Sequence, residues 1–442
     1  MKKMTLIFLI AFIHTFCFAQ KTADEQVGNC LNTSDFFLLE EIYPTVKDNM
    51  QTPFLKTFAE SLLNIAFNQS DQGVASVDSL IIKYQGEIGL ENVKSMLIFQ
   101  SWLLFRQGEY QQAYDRLEGF IAQIEPHVPS EFLIGTKANL NMYRALLGEG
   151  KPQLIRPDMD CVIPLEIDTI RIRGNENDTV KHSTLMYVPV TVNGSRERFI
   201  FDTGCGGGVF LSQEYATRLG VRIKMDSLVI TGVGGKDYGQ MGIVDSIGVG
   251  NMIFRNVRAT IVSPNTEVDS LFRVNAILGS DIMHYAGEVQ ILPNEKKIVF
   301  PIHKTPLPTT GRNMMRVPGG DAFFLKVYSG DNRLVMLFDT GDTYAHLNGH
   351  YFGSNKESVM RNGTKSSRVS GGFGGAGLRE YYNLPFFSIK IGNKQFKIEN
   401  MAVESELPIG TQFGSGALGM AFINTFKKTT INFEQMFVEV YD

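Results

Sequence analysis

A chain of 442 residues exceeds what one ordinary core needs and predicts two or three domains, enough for a two-lobed enzyme with an accessory part. Its 42 basic and 46 acidic residues leave a net charge of −4 with no long run of one sign, which argues against nucleic acid as a partner.

Residues 1–19 read as a signal peptide: Lys2 and Lys3, an apolar stretch from Leu6 to Phe18, then Cys17-Phe18-Ala19 as a small-x-small cleavage site. Phe16 stands where a lipoprotein carries a small residue before its acylated cysteine, so ordinary export to the periplasm or medium is favoured over a lipid anchor. No later stretch approaches the roughly 18 to 20 apolar residues of a membrane span. Beyond the leader, Cys30, Cys161 and Cys205 are too few for a disulfide framework. At most one bridge is expected, Cys30 to Cys161, and the absence of a Cys-x-x-Cys unit argues against zinc or redox chemistry.

From residue 20 to about 155 apolar residues recur at three and four, as in Phe58, Leu62, Ile65 and in Ile98, Trp102, Phe105, which predicts helices. Leu104, Gly108, Tyr110 and Ala113 fit the turn of a helical hairpin and resemble the tetratricopeptide family over about one and a half units. That resemblance implies a surface for a protein partner; a plain helical bundle accounts for the pattern equally well.

Past Cys161 the pattern becomes short alternating runs broken by Gly and Asn, the mark of strands and hairpins, and the region is internally duplicated. Asn193-Gly194 precedes Phe199-Ile200-Phe201-Asp202, as Gly330-Asp331 precedes Met336-Leu337-Phe338-Asp339. Val249-Gly250-Asn251 is mirrored by Ile391-Gly392-Asn393, and Ile277-Leu278-Gly279 by Ala417-Leu418-Gly419. The hairpin glycines fall 48 and 53 residues after the Asp, the closing glycines 77 and 80. A Pro-rich linker from Pro301 to Gly311 separates the copies, which sets lobes at 160–303 and 304–442. The predicted fold class is therefore multi-domain: an all-α, repeat-like N-terminal domain followed by an all-β, double-lobed region.

Each copy carries Asp-Thr-Gly: Asp202-Thr203-Gly204 and Asp339-Thr340-Gly341. Gly204 and Gly341 are expected to allow a bend that brings the carboxylates together, and Thr203 and Thr340 to bond the opposite loop's backbone. Two carboxylates within hydrogen-bonding distance share one proton and titrate as a unit. The ionised member can deprotonate a water attacking a peptide carbonyl while the protonated one donates to the carbonyl oxygen.

From about Leu185 onward these motifs resemble the pepsin and retropepsin aspartic proteases, in a single-chain, two-lobed bacterial form. The resemblance implies a β-barrel per lobe, Asp202 and Asp339 as the catalytic dyad at the lobe interface, and a protein or peptide substrate bound as an added strand. It also implies a hydrophobic-hydrophobic-Gly support under each loop and Gly-rich flaps. The flap candidates are Gly232, Gly234, Gly235 and Tyr238 in the first copy and Gly372, Phe373 and Gly374 in the second. The chain departs from the family pattern directly after each triplet, where Cys205 and Asp342 replace a small residue. Asp342 pointing inward would raise the dyad's pKa values; pointing outward it could hold a backbone amide. The alternative reading is a catalytically silent peptide-binding or scaffold protein that retains the double barrel.

No cofactor and no metal are expected. Gly372-Phe-Gly-Gly-Ala-Gly377 spells a dinucleotide pattern, but Tyr381, Tyr382 and Pro385 come next in a strand-like run and offer no helix N-terminus. His346 and His350 stand four apart with Gly349 between, and read as loop histidines; Cys205 reads as a packed thiol because no base can be named for it.

Overall fold

The computed structural model describes residues 21–172, 181–232, 235–263, 274–372, 375–406 and 413–442. The chain forms two compact units, Met1–Arg144 and Ala145–Asp442. No helix among the described residues is long and apolar enough to cross a membrane.

The first unit is helical: Ala23–Asn32, Phe36–Val46, Pro53–Ala66, Ser70–Arg106, Tyr110–Ile124 and Ile134–Arg144. Thr22 and Glu25 close the first N-terminus as a reciprocal capping box. The long helix is interrupted at Tyr84 and at Gly89, whose φ of 75° only glycine adopts cheaply. Phe58, Leu62, Ile65, Trp102 and Phe105 are buried as their spacing predicts, while Ile98 is half-buried. Gly108, at φ 77°, turns the chain between the two helices that flank it, and Tyr110 and Ala113 fill the space beneath. The Phe105 ring packs at 5.7 Å from Tyr110 and 4.9 Å from Tyr143.

The second unit is built of β-sheets with short helices, and the duplication of the motifs is a duplication of topology. In the first half, strand Ser195–Phe201 pairs in parallel with Ala276–Leu278, which pairs antiparallel with Val209–Ser212, which runs parallel to Met252–Val262. In the second, Asn332–Phe338, Gly416–Leu418, Ala345–Leu347 and Lys394–Glu404 repeat that order and those senses. The tight turns fall where the sequence sets them: Asn193 and Gly194 at positive φ between Val192 and Ser195, Gly330 between Ser329 and Asn332, and Gly250 and Gly392 in the later hairpins.

A further sheet ties the halves together. Glu288–Leu292 and Lys297–Phe300 come after the first supporting glycine, Lys428–Asn432 and Phe437–Tyr441 after the second, and the halves join where Glu288 opposes Asn432 and Ile291 opposes Thr429. Cys161–Pro164 adds an edge strand. This pair of hairpins extends the duplication beyond the four features visible in the motifs. The expected Cys30–Cys161 bridge does not form: both are buried without a disulfide, and Cys161 lies in the edge strand with its Sγ on the Val249 carbonyl at 3.3 Å.

Candidate active site

Each Asp-Thr-Gly loop hangs from the end of an apolar strand, because Phe201 and Phe338 are fully buried and anchor the turn after them. The loops are then fixed from below: Asp202 N–H donates to the Leu278 carbonyl at 3.2 Å and Asp339 N–H to that of Leu418 at 3.0 Å. The supporting glycines carry no Cβ for a steric reason. At Gly279 one would meet the Gly207 carbonyl oxygen at 2.7 Å, and at Gly419 it would fall on the carbonyls of Asp342 and Tyr344.

The two loops grip each other symmetrically. Thr203 Oγ1 donates to the Phe338 carbonyl at 2.9 Å and accepts the Thr340 N–H at 3.0 Å; Thr340 Oγ1 donates to Phe201 at 2.9 Å and accepts the Thr203 N–H at 3.0 Å. Both threonines are completely buried, so all four groups depend on one another.

The glycines of the triplets act differently from the expected bend. Neither Gly204 nor Gly341 has positive φ. What they supply is absence of a side chain: a Cβ on Gly204 would fall inside the Asp339 carboxyl, and one on Gly341 inside that of Asp202. Close approach, not backbone freedom, is the reason for glycine here.

The carboxyls of Asp202 and Asp339 are hydrogen-bonded to each other. Asp202 Oδ1 also accepts N–H groups from Gly204 (2.7 Å), Cys205 (3.2 Å) and Gly341 (3.2 Å), while Asp339 Oδ1 accepts only Gly341 (2.9 Å) among the described contacts. Withdrawal from water pushes both carboxyls above the usual range. For Asp202 that is opposed by the bond from Asp339 and three backbone donors; for Asp339 it is reinforced by the negative charges of Asp202 and Asp342. The two therefore titrate as one pair, in which Asp202, with three N–H donors against one on Asp339, is the better placed to carry the charge.

Asp342 itself is held below the usual range. Burial opposes its charge, but the hydrogen bond and electrostatic pull of His346, the Tyr344 N–H and the Arg368 charge outweigh it. Its Oδ1 accepts Tyr344 N–H at 2.9 Å and its Oδ2 faces His346 Nδ1 at 3.1 Å. Both possibilities read from the sequence are met at once: it binds a backbone amide and its charge still reaches Asp339. His346 lies in the strand Ala345–Leu347 and His350 in the first turn of Gly349–Asn362, so they do not share a helix face. Among the described residues no group of His, Cys, Asp and Glu is placed to hold a metal. Burial first, and then the negative charge of the neighbouring carboxyl groups, drives the Cys205 thiol well up, which disfavours a thiolate there.

Both Gly-rich runs are hairpins. Arg222–Gly232 pairs with Gly235–Val249 and Thr364–Gly372 with Gly375–Ile391, so that Gly232 opposes Gly235 and Gly372 opposes Gly375. Gly234, Phe373 and Gly374 lie outside the described residues. Tyr238 pairs with Val229, and both are exposed, at 69% and 57%. In the same register of the second hairpin stands Leu378, opposite Val369 and 72% exposed. Sequence reasoning passed over Leu378, although it comes three residues after its hairpin glycine just as Tyr238 comes three after Gly235.

Residues 188–282 match a family model described as aspartyl protease. No curated protein matches the chain. Among solved structures the chain is similar to a retropepsin-like aspartic protease from Rickettsia conorii, at 17% identity over 31% of this chain and 92% of that one, with a TM-score of 0.20. It is also similar to basic 7S globulin from soybean, at 11% identity over 63% and 95%, TM-score 0.37, and to the protease of EIAV solved with the inhibitor HBY-793, at 22% identity over 26% and 92%, TM-score 0.18. Within the β-rich region residues 188–282 thus resemble the aspartyl proteases, and that region lies after an all-α one, as the pattern of the sequence predicts.

Proposed function

We propose that this chain is an exported aspartic endopeptidase, hydrolysing peptide bonds with a water activated by Asp202 and Asp339. The observation that carries the reading is the paired Asp202 and Asp339 carboxyls, held face to face by two interlocked Thr residues and given unequal numbers of N–H donors. In such a pair Asp202 takes a proton from the attacking water, Asp339 donates to the carbonyl oxygen, and the dyad then protonates the leaving nitrogen. Before the proton is taken, the negative charge on Asp202 is carried by three N–H donors, two from its own loop and that of Gly341 from the other, so both loops stabilise the base.

The two glycine hairpins act as flaps over an extended peptide, with Tyr238 and Leu378 as their apolar contacts. The organisation proposed is a leader at 1–19, a helical partner-binding domain at 20–155, of which residues 145–155 group with the β-rich unit, and lobes at 160–303 and 304–442; export rests on the sequence of the leader, which lies outside the described residues.

Replacing Asp202 or Asp339 with Asn is expected to lower peptide cleavage by at least about 100-fold between about pH 3 and pH 8. Activity that survives either change rules the dyad out. A statine-type inhibitor that binds the wild type discriminates against a silent scaffold, since a groove without turnover has no reason to favour tetrahedral geometry.

A further inference from the structure

The second hairpin holds a feature the dyad chemistry leaves unused. A cavity of about 130 Å³ is lined by Leu378, Arg379, Glu380, Glu404 and Glu406. The strand register assembles it: Arg379 opposes Arg368, Glu380 opposes Ser367, and Glu404, at the end of Lys394–Glu404, opposes Tyr381. Three carboxylates and one guanidinium thus line it.

These carboxylates differ in their partners. Glu380 is paired toward solvent with Lys365 at 2.9 Å. Glu404 has a side chain only 5% exposed, yet Arg368 Nη2 stands 3.8 Å from its Oε1, beyond hydrogen-bonding range, and its Oε2 has no hydrogen-bond partner among the described residues. Arg368 is engaged elsewhere: its guanidinium lies over the rings of Tyr344 and Tyr381, at 4.8 and 5.2 Å. A carboxylate oxygen kept from water without a donor is costly, and the space before it is large enough for a ligand head group. Arg379 Nε, buried on the same wall and also without a partner among the described residues, offers a donor to a carbonyl.

We infer that this cavity is a subsite for a basic side chain, an ammonium or guanidinium carried by the peptide substrate. Glu404 receives the cation, exposed Glu406 attracts it at the mouth, and Arg379 Nε meets a substrate carbonyl. Leu378 links the cavity to the apolar face of the hairpin, and Arg368, stacked on the Tyr344 whose N–H holds Asp342, links it to the second catalytic loop. The inference rests on the peptidase reading for its substrate but not for its binding chemistry.

The test uses the full chain and a set of peptides in which lysine is walked through the positions flanking the scissile bond, each with a norleucine counterpart. One position is expected where lysine raises kcat/KM about tenfold or more over norleucine, and Glu404→Gln should bring that ratio to near one. Glu404→Asp, which keeps the charge and serves if the Gln variant does not fold, should retain part of the preference. In parallel, fluorescence anisotropy of the same peptides on the Asp202→Asn variant reads binding without turnover. Tighter binding of the lysine peptide there, lost on adding Glu404→Gln, supports the subsite even if no peptide is cleaved, an outcome that sinks the peptidase reading alone. Equal binding of the two peptides, or a lysine preference that survives Glu404→Gln, overturns the subsite whether or not cleavage occurs.

Discussion

Asp342 illustrates how one residue sets the working range of its neighbours. Its carboxylate, favoured by His346, Tyr344 and Arg368, repels charge on Asp339 and pushes that carboxyl up. Removing that charge should let Asp339 ionise at lower pH. For Asp342→Ser the alkaline limb of the pH–kcat profile is expected to move toward acid, because the dyad loses its proton earlier; a limb that stays in place shows that the charge does not reach the pair. Thr340 acts through structure instead. Thr340→Val strands the Phe201 carbonyl and the Thr203 N–H in a site that water does not enter, and should cost about 3 kcal/mol in urea unfolding. Both triplets are plain in the sequence, but the reason for their glycines was not. A tripeptide shows a small residue, while the carboxyl that occupies the missing Cβ belongs to a loop more than a hundred positions away.

Among the elements, the two glycine hairpins show the duplication most clearly and differ in the side chains they expose. Their tips close on Gly232–Gly235 and Gly372–Gly375, and at the same register one presents Tyr238 and the other Leu378. Under the proposed function, these exposed apolar side chains at matched positions contact the substrate. Tyr238→Ser and Leu378→Ser should each raise KM about tenfold for an apolar peptide, the effect of losing one buried side chain, while thermal unfolding stays unchanged because neither packs in the core. An unaltered KM removes that hairpin from the binding surface. Hairpins were legible because Asn-Gly and Gly-Gly pairs dictate tight turns locally; which side chains face outward depends on register, and the bulges near Met225 shift it in ways that alternation alone does not reveal.

At the scale of the molecule, the halves of the β-rich unit are joined by a sheet whose centre holds a fully buried Glu288. Its carboxylate accepts Thr305 N–H and Oγ1, both at 2.7 Å, and Asn432 Nδ2 and Gln290 Nε2, both at 2.9 Å, so one side chain ties the linker, the first half and the second. Glu288→Ala is expected to cost about 3 kcal/mol or more, and to loosen both halves together, since the orphaned donors belong to each. Urea unfolding monitored by fluorescence and by dyad inhibitor binding should show one coincident, earlier transition; separate transitions would mean that the halves are held independently.

By itself the sequence determined the helical and β-rich parts, the duplicated order of hairpin, Asp loop and supporting glycine, and the pair of aspartates. Each of these is written in local periodicity, in turn residues or in a repeated string. Tertiary structure decided what no local pattern encodes: that Asp202 receives three N–H donors and Asp339 one, that Asp342 pairs with His346, that burial pushes the Cys205 thiol up, that Cys161 packs against a carbonyl instead of bridging Cys30, and that Glu404 is buried without a donor to its Oε2 among the described residues. All of these depend on which groups from distant segments meet where water is excluded, and on the charge each brings.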